Sequence, residues 1–385
     1  MLFPRSLEQT ILDKIERTNK IVLLYGPRQV GKTTLVRQIV DRSPLRSLVV
    51  NGDELRYADA LSSRDSRILK GLVEGYELLL IDEAQRIPDI GLNLKILHDS
   101  LPSLRIIATG SSSFELANRV SEPLTGRTWT HILFPIAVCE LAQIRNSFEL
   151  RGLLDEMLVF GSYPEIQTMG GDTERTDLLR EICGSYLYKD ILELTGIRNR
   201  HKIADLLRLL AYQIGSQVSL EEIGRSLGMG KDTVNSYIDL LEKSFVVFRL
   251  RGFSRNLRKE VVKTKKVFFY DLGIRNALID NVKRVPYRDD IGQLWENFLI
   301  IERLKTLAYQ GGTRNRYFWR TYTGAEIDYV EESGGQLHGF EFTHGDKRKK
   351  PPVTWTATYP GATWNLVNPD NYLDFLTRSG SDQEL

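Results

Sequence analysis

The residues best suited to chemistry lie in the stretch 26–33, which reads GPRQVGKT. Its glycines let backbone N–H groups approach phosphate oxygens without interference from a Cβ atom. In such a loop the lysine meets the β- and γ-phosphates of a nucleotide, and the threonine hydroxyl holds Mg²⁺. The pattern therefore predicts a phosphate-binding loop made of Gly26, Pro27, Arg28, Gln29, Val30, Gly31, Lys32, Thr33 and Thr34.

The elements on either side of this loop must hold it in place. The apolar run at 21–25 predicts a buried strand, and residues 34–41 predict a helix with Leu35, Ile39 and Val40 on its inner face. A strand, a glycine-containing turn and a helix are the context that this motif requires. The helix N-terminus adds partial positive charge beside the phosphates. A turn that matches the motif by chance is the alternative, and this context disfavours it.

A second apolar run, at residues 77–81, is followed by two acids, Asp82 and Glu83. Strands of a parallel sheet are apolar on both faces, and ligands bind at their carboxyl ends. The pattern therefore predicts that Asp82 supports Mg²⁺ and that Glu83 polarises the attacking water. The alternative is that the two acids merely end a buried strand at the surface. Together the two motifs predict Mg²⁺-dependent hydrolysis of ATP.

Two more positions are candidates for the same site. The apolar run at 104–108 leads into TGSSS, where Ser111 is the predicted sensor of the γ-phosphate or the water, with Thr109 second. The alternative is a serine-rich turn that caps the next helix. Arg127 follows Gly126 and is predicted to stabilise transition-state charge, either within its own chain or across a subunit boundary. A solvated loop arginine is the alternative there.

The composition of the 385 residues limits the class of protein. With 42% hydrophobic and 26% charged residues the chain is globular, and its length predicts several domains. A net charge of +2 does not mark the whole surface as a nucleic-acid binder, and two cysteines argue against a disulfide framework. No apolar run approaches the ~20 residues that span a bilayer, and the start lacks a signal-peptide pattern. We therefore expect a cytoplasmic protein with no membrane contact.

The order of apolar patterns predicts an α/β protein of four parts. Residues 1–145 form a nucleotide-binding core with a parallel sheet and flanking helices, and residues 146–198 form a helical lid or connector. Residues 199–285 form a winged helix-turn-helix, and residues 286–385 form a C-terminal α/β domain.

The predicted winged helix is the candidate for DNA contact. A capping box at 219–222, a Gly-Met-Gly turn at 228–230 and a third helix give the helix-turn-helix pattern. That third helix would expose polar residues suited to phosphates and base edges: Lys231, Asp232, Thr233, Asn235 and Ser236. A basic stretch follows, with Arg251, Arg255, Arg258, Lys259, Lys263, Lys265 and Lys266. The alternative is that this module docks proteins and that the basic run is only a solvated face.

These motifs together resemble a family of bacterial and archaeal AAA+-type P-loop ATPases that carry a C-terminal domain of unknown function. The resemblance extends over essentially the whole chain and rests on the segments 26–34, 81–85, 109–112, 124–127, 161–165, 269–273, 295–298 and 319–328. It implies Walker roles for Gly31, Lys32, Thr33, Asp82 and Glu83. AAA+-type relatives often act as rings in which an arginine completes a neighbour's site, so the resemblance also implies a homo-oligomer.

The family's C-terminal domain resembles the restriction-endonuclease fold, which binds a divalent metal through three acids. The motif maps these acids onto Glu296, Asp328 and Glu341, as a vestigial metal site. The lysine expected two residues after the last acid is Thr343 here, and a threonine supplies no positive charge for a developing phosphorane. Lys347 or Lys349 are the nearby substitutes. We therefore expect a nuclease-like domain that does not cleave.

The sequence thus predicts an ATP-hydrolysing protein that couples its nucleotide state to DNA engagement or remodelling. Two alternatives remain open at this point. One is an ATP-gated signalling switch in which the C-terminal half docks proteins. The other is a metal-dependent nuclease regulated by ATP.

Overall fold

A computed structural model describes residues 2–111, 124–187, 200–254, 265–311, 314–345 and 349–377. The strands are β1 Ile21–Tyr25, β2 Ser47–Asn51, β3 Leu78–Asp82, β4 Arg105–Gly110, β5 Thr128–Ile132, β6 Gln217–Val218, β7 Val247–Gly252, β8 Lys265–Phe269, β9 Asn315–Arg320, β10 Glu326–Ser333, β11 Gln336–Phe342 and β12 Thr363–Val367.

The α-helices are α1 Leu7–Arg17, α2 Lys32–Arg42, α3 Leu55–Leu61, α4 Ser66–Leu72, α5 Ile90–Ser100, α6 Val138–Leu141, α7 Ser147–Phe160, α8 Pro164–Thr168, α9 Asp172–Glu181, α10 Arg200–Tyr212, α11 Leu220–Leu227, α12 Lys231–Lys243, α13 Leu272–Leu278, α14 Ile291–Gln310, α15 Val353–Thr358 and α16 Tyr372–Thr377. Short 3₁₀ turns lie at Ala84–Arg86 and Val285–Tyr287, and a π-helical turn lies at Ile182–Leu187.

The first sheet has five parallel strands in the order β2-β3-β4-β1-β5. Every residue of β1 and β3 is buried, which explains their unbroken apolar sequences. Helices α1 and α2 pack beside each other and bury their apolar stripes against the sheet. The predicted α/β core with a parallel sheet is confirmed. Its carboxyl edge brings together the ends of β1, β3 and β4.

The helical segment after the first sheet is tied to the second half of the chain. Helix α7 starts at a capping box in which the Asn146 and Glu149 side chains bond each other's backbone N–H groups. It ends at Gly161, where φ is +75° and a Cβ atom would lie 2.1 Å from a carboxylate oxygen of Asp271. Only glycine fits here, because the chain passes directly against that carboxylate.

The second sheet has seven strands in the order β12-β11-β10-β9-β7-β8-β6. Strand β7, from the segment with helices α10 to α12, pairs in parallel with β9, so that Arg251 lies opposite Tyr317. The sheet therefore contains strands from both sides of the domain boundary predicted at residue 285. That boundary stays a prediction. The C-terminal part is an α/β layer, as expected.

Helix α14 is the longest described helix, with 20 residues, and it is buried on nearly all sides. At a rise of 1.5 Å per residue it is about 30 Å long. It carries Glu296 near its start, the buried Glu302 and Lys305 in its second half, and Tyr309 near its end. It thus connects the C-terminal part, where Glu296 lies, with the first sheet, because the Tyr309 hydroxyl accepts a hydrogen bond from the N–H of Phe134, just after β5. In the described part of the chain, no helix combines the length and apolarity needed to cross a membrane.

Candidate functional site

The phosphate loop runs from β1 into α2 with two glycines in conformations that other residues rarely adopt. Gly26 has φ +150°, and a Cβ atom there would lie 2.1 Å from the carbonyl oxygen of Leu133. Gly31 has φ +92° and caps the N-terminus of α2. These two positions explain why the motif needs glycines.

The Lys32 side chain lies inside this loop and is only 6% exposed. Its Nζ donates hydrogen bonds to the carbonyl oxygens of Gly26 at 2.8 Å and Pro27 at 2.7 Å. The ammonium is therefore held at the centre of the loop, within reach of any phosphate that the backbone N–H groups bind.

The Asp82 carboxylate lies beside the start of α2. The Thr33 hydroxyl donates to Asp82 Oδ2 at 2.7 Å, and the Thr109 hydroxyl donates to Asp82 Oδ1. A hydroxyl and a carboxylate side by side are oxygen donors of the kind that Mg²⁺ takes, with its other positions filled by water and phosphate. The residues present fit a Mg²⁺ ion, which Thr33 and Asp82 would hold.

Glu83 follows Asp82 in a left-handed conformation, with φ +52°. Its backbone N–H donates to the Thr109 hydroxyl at 3.3 Å, and its carboxylate accepts a hydrogen bond from the Gln85 amide. The unusual backbone angle turns the side chain away from the strand direction. Such strained positions gather at functional sites.

Gln85 joins Glu83 to the predicted sensor. Its Nε2 also donates to the Ser111 hydroxyl at 3.1 Å, so Ser111 belongs to the site although Thr109 is the residue that contacts Asp82. The Gln85 Oε1 atom is buried and has no hydrogen-bond partner among the described residues. A buried acceptor of this kind suits a water molecule. The sequence analysis gave Gln85 no role, because a glutamine has no spacing signature of its own.

Arg5 is a second residue that the sequence analysis missed. Its guanidinium donates to the carbonyl oxygens of Val30, in the phosphate loop, at 2.7 Å and of Phe134 at 2.6 Å. Burial lowers the pKa of Arg5, but the carboxylate of Glu140, 3.1 Å away, and the nearby Tyr309 together outweigh burial and raise the pKa. Arg5 therefore stays positively charged and holds the phosphate loop through its hydrogen bond to the Val30 carbonyl oxygen. A lone arginine near the chain start gives no sequence signal for such a contact.

Gly52 packs against the strand end that carries the two acids. Its N–H donates to the Asp82 carbonyl oxygen at 2.8 Å, and a Cβ atom at this position would lie 2.4 Å from the Glu83 carbonyl oxygen. We therefore expect Gly52→Ala to push Glu83 away from Gln85, at a cost of about 1–3 kcal/mol. ATP hydrolysis should fall by roughly tenfold or more, as measured by phosphate release.

Gly71→Ala is the matched control, because no atom lies within 4 Å of the corresponding Cβ position. It should keep the wild-type rate of phosphate release. Equal rates in Gly52→Ala and the wild type would contradict the close packing of Gly52 against Glu83.

Arg127 does not lie at this site within its own chain. Its carbonyl oxygen accepts from the N–H of Ile21 at 2.9 Å, which places it at the amino end of β1, whereas the phosphate loop follows the carboxyl end. Five residues of strand separate the two by roughly 15 Å. Its guanidinium instead pairs with Asp99 at 2.8 Å. The prediction of a contact within the chain is corrected on this ground, and a role across a subunit boundary stays a prediction.

A cleft adjoins the phosphate loop on the side of the second half of the chain. Its lining combines Pro27 and Arg28 of the loop with Tyr163, Tyr270 and Asp271. Tyr163 and Asp271 belong to the segments 161–165 and 269–273 that carried the family resemblance. These two segments therefore meet beside the nucleotide loop, which the sequence alone did not predict.

The three acids predicted as a vestigial metal site do not form one. In the stretches that the structure describes, no group of three or more His, Cys, Asp or Glu side chains is arranged to hold a metal ion. The buried ammonium of Lys266 lies between Glu296 at 2.9 Å and Glu326 at 2.7 Å. A built-in cation thus offsets part of the negative charge of these acids, and this corrects the metal prediction.

The rest of this cluster is held by hydrogen bonds and a second lysine. Asp328 accepts from the backbone N–H of Phe342 at 2.8 Å, and Glu341 pairs with Lys349 at 2.5 Å. The Thr343 hydroxyl donates to the Gly345 carbonyl oxygen instead of facing the acids. Lys347 lies outside the described residues. Lys349 therefore supplies a positive charge to Glu341, but no metal site accompanies it in the described part of the chain.

The acidic cluster predicts a pH-dependent stability. Burial raises the pKa of Glu296 to about 7, with Lys266 opposing the increase and Asp328 and Glu326 adding to it. Because the folded state holds a proton that the unfolded chain has lost, stability should fall as the pH rises from about 4.5 through about 7. Relative to Glu296→Gln, which cannot ionise, the wild type should lose roughly 1–3 kcal/mol across this range.

Thermal unfolding of the two proteins at pH 5, 6, 7 and 8 measures this difference. The midpoint of the wild type should fall relative to that of Glu296→Gln as the pH rises. Parallel curves for the two proteins would contradict the raised pKa of Glu296.

The predicted DNA-facing helix, α12, is partly engaged in contacts within the protein. Lys231 is exposed but pairs with Glu221 at 2.5 Å, and Asn235 accepts a hydrogen bond from Arg249 at 3.0 Å. Asp232 and Thr233 are exposed, as predicted, and so is Ser236. Of the basic stretch, Arg255, Arg258, Lys259 and Lys263 lie outside the described residues.

Comparison with known proteins agrees with the geometry of the loop. The family model described as an AAA domain matches residues 18–142, and two models of domains of unknown function, DUF8612 and DUF4143, match residues 151–284 and 291–352. A Walker-type ATPase of Pyrococcus abyssi is a solved structure with a TM-score of 0.48 and 18% identity, and the match covers 72% of this chain and 96% of that one.

Two relatives of known sequence match over most of the chain. An uncharacterized protein of Methanocaldococcus jannaschii is 23% identical over 332 residues, which cover 81% of this chain and 72% of that protein. An uncharacterized protein of Mycobacterium tuberculosis is 30% identical over 328 residues, which cover 83% of this chain and 69% of that protein. With this relative and the match to the AAA domain, the chain belongs to the family of AAA+-type P-loop ATPases.

Proposed function

We propose that this protein binds and hydrolyses ATP at the carboxyl edge of its five-stranded sheet. The observation that carries the proposal is the contact of the Thr33 hydroxyl with Asp82 at 2.7 Å, next to the Lys32 ammonium inside the loop. The AAA domain match supports nucleotide binding by the same residues. Gly26 and Gly31 give the backbone N–H groups of the loop access to the phosphate oxygens.

In this proposal Lys32 neutralises charge on the β- and γ-phosphates, and Glu83 accepts the proton of the attacking water. The water oxygen bonds to the γ-phosphorus while the bond to the bridging oxygen breaks, which yields ADP and inorganic phosphate. Mg²⁺, when held by Thr33 and Asp82, supplies further charge neutralisation. Gln85 orients the Glu83 carboxylate, and its free Oε1 is suited to the same water.

Phosphate release from ATP by the purified full chain tests the proposal. Turnover should require Mg²⁺ and should stop when EDTA removes the ion, because ATP without the metal keeps its full phosphate charge. Phosphate release that continues unchanged in EDTA would contradict the site as proposed.

We further propose that the nucleotide state is coupled to DNA engagement through the segment with helices α10 to α12. The support is the helix-turn-helix pattern with Lys231 and Thr233 exposed on α12, together with Lys202 on α10. Binding of duplex, forked and single-stranded DNA should be strongest at low salt and should weaken steeply as salt rises. If none of the three DNA forms binds at low salt, the proposal that this protein engages DNA is contradicted.

Lys231→Ala probes this face and Lys70→Ala, on the exposed side of α4, is its matched control. Loss of one phosphate contact in Lys231→Ala should reduce the slope of log affinity against log salt concentration by about one, whereas Lys70→Ala should keep the wild-type slope.

A protein-docking switch is the second candidate, favoured by the pairing of Lys231 with Glu221 and of Arg249 with Asp239 and Glu242. Partners captured equally in ADP and ATP would contradict that switch.

A further inference from the structure

The C-terminal end of helix α12 has an unusual residue at its cap. The N–H of Phe245 donates to the carbonyl oxygen of Glu242 at 3.0 Å. The N–H of Val246 donates to the carbonyl oxygen of Leu241, also at 3.0 Å. In this pair of bonds, the Schellman motif, glycine usually occupies the left-handed position, whereas here Phe245 does so with φ +57°. A bulky residue in this conformation is strained and persists only where the surrounding structure holds it.

Burial of the Phe245 ring explains why this strain is tolerated. The residue is 6% exposed, and its ring lies in the apolar core of the first sheet, in the cluster that also contains Tyr25. It meets the Tyr270 ring edge-on, with the ring centres 6.1 Å apart. Removal of an aromatic ring from water offsets the unfavourable backbone angle. The end of α12 is therefore anchored in the core that carries the phosphate loop.

Tyr270 connects this anchor to the first sheet. Its N–H donates to the Val246 carbonyl oxygen at 3.0 Å. Its ring stacks on Phe134, two residues after β5, with the ring centres 5.7 Å apart and 18° between the planes. Phe245 and Tyr270 also line the cleft beside Pro27 of the loop, whose free volume of about 30 Å³ has room for only about two water molecules. The loop and the end of α12 therefore face each other across a narrow gap.

Phe134 is tied to both ends of the loop. The carbonyl oxygen of its neighbour Leu133 lies 2.1 Å from the position that a Cβ atom of Gly26 would take, so the two backbones are in contact. The Phe134 carbonyl oxygen accepts a hydrogen bond from Arg5, whose guanidinium also donates to Val30. A displacement of either end of the loop therefore acts on Phe134 and on the ring stacked against it.

Lys32 supplies the link to the nucleotide. An ammonium has three donors, and that of Lys32 uses two of them on the carbonyl oxygens of Gly26 and Pro27. In a phosphate loop this lysine meets the β- and γ-phosphates. A bound nucleotide therefore competes with the two carbonyl oxygens for the ammonium. The residues that it would release are those that lie against Leu133 and line the cleft.

We propose that the phosphate loop controls the end of α12 through an aromatic relay made of Phe134, Tyr270 and Phe245, an inference that rests on the proposed binding of ATP. While Lys32 holds the loop carbonyl oxygens, the Phe245 ring stays buried and the cap is closed. When a nucleotide draws Lys32 away, the packing around Phe245 loosens, its backbone leaves the strained conformation, and the last turn of α12 opens. The helix proposed to meet DNA thus has two states that depend on the nucleotide.

Hydrogen–deuterium exchange of the Phe245 and Val246 amides in the full chain tests the aromatic relay. The ATP analogue AMP-PNP with Mg²⁺ should speed their exchange by about tenfold or more. Ordinary stabilisation by a ligand acts in the opposite direction, because it slows exchange throughout the protein. Slower exchange in the loop, at residues 26–34, with unchanged or slower exchange at the cap would overturn the relay alone. Unchanged exchange in the loop would contradict nucleotide binding, and the relay with it.

Lys32→Ala tests the trigger without any nucleotide. Loss of its two hydrogen bonds to the loop carbonyl oxygens should speed the exchange of the cap amides in the free protein by about fivefold or more. Lys70→Ala, at an exposed position, should leave this exchange unchanged. Wild-type exchange at the cap of Lys32→Ala would overturn the proposal that the loop holds the cap, whether or not the protein hydrolyses ATP.

Phe134→Leu interrupts the aromatic relay on the side of the loop. AMP-PNP should then still slow exchange in the loop but no longer change exchange at the cap. Phe340→Leu is the matched control, because Phe340 is equally buried but lies in β11 of the second sheet, and it should respond like the wild type.

Phe245→Gly deletes the ring and relieves the strained backbone. Because glycine suits the left-handed position, the cap amides should exchange slowly both with and without AMP-PNP. A full response of the cap to the nucleotide in either Phe134→Leu or Phe245→Gly would overturn the aromatic relay.

Discussion

Glu83→Gln is expected to slow ATP hydrolysis by about 100-fold or more while ATP binding is kept. The glutamine preserves the size and the hydrogen-bonding capacity of the side chain but cannot accept the proton of the attacking water. In the proposed site the phosphate contacts come from Lys32, which is held inside the loop, and from the loop backbone, and this change touches neither. Phosphate release gives the turnover, and equilibrium binding of a fluorescent ATP analogue gives the affinity.

Glu74→Gln is the matched control, since Glu74 is exposed and precedes the amino end of β3, at the opposite edge of the sheet from Glu83. It should keep the wild-type turnover and affinity. The turnover of Gln85→Ala should lie between that of Glu83→Gln and that of Glu74→Gln, because this change removes only the group that orients Glu83. Turnover in Glu83→Gln within about twofold of the wild type would mean that another residue is the base.

Lys305→Met is expected to be the most destabilising single change in the connection between the two halves of the chain. The Lys305 ammonium is fully buried and donates to Glu302 at 2.6 Å and to the Ser162 hydroxyl at 3.0 Å. Its charge also opposes the rise that burial causes in the pKa of Asp271. Removal leaves buried carboxylates without a cation, which costs about 3–5 kcal/mol.

Thermal unfolding should show this loss as a fall in the midpoint of roughly 5 °C or more. Burial already raises the pKa of Glu302 and of Asp271, so both carboxyls take up protons more readily as the pH falls. The gap between the variant and the wild type should therefore be smaller at pH 5 than at pH 8.

Lys70→Met, at an exposed position, is the control for the loss of one lysine charge and should unfold like the wild type. Adding Glu302→Gln to Lys305→Met should recover part of the lost stability, because one of the stranded charges is then gone. A variant that unfolds within 1 °C of the wild type at pH 8 would contradict the role given to Lys305.

The nucleotide core could be predicted because its signals are local. A buried strand, two glycines, Lys32 and a helix follow one another directly, so short-range sterics determine the loop. Asp82 comes directly after four apolar residues of one buried strand, which places it at the carboxyl edge wherever that strand pairs. The predicted α/β class needed no knowledge of distant contacts.

The parts that sequence reasoning missed depend on residues far apart in the chain. Arg5 donates a hydrogen bond to Val30, and Gly52 packs on Glu83. No periodicity in the sequence predicts either contact. The pairing of β7 with β9 could not be predicted, since both strands have ordinary alternating patterns. Strand β8, which pairs with β7, carries Lys266, whose ammonium lies against Glu296, where the sequence suggested a metal.

The central claim is that the loop lysine and the acids at the end of β3 form one hydrolytic site. The rate of phosphate release from ATP with Mg²⁺, compared between the wild type and Lys32→Ala at equal protein concentration, tests it most directly. The account predicts turnover in the wild type and a loss of about 100-fold or more in Lys32→Ala, with Lys70→Ala unchanged. Equal turnover in the wild type and Lys32→Ala would contradict it.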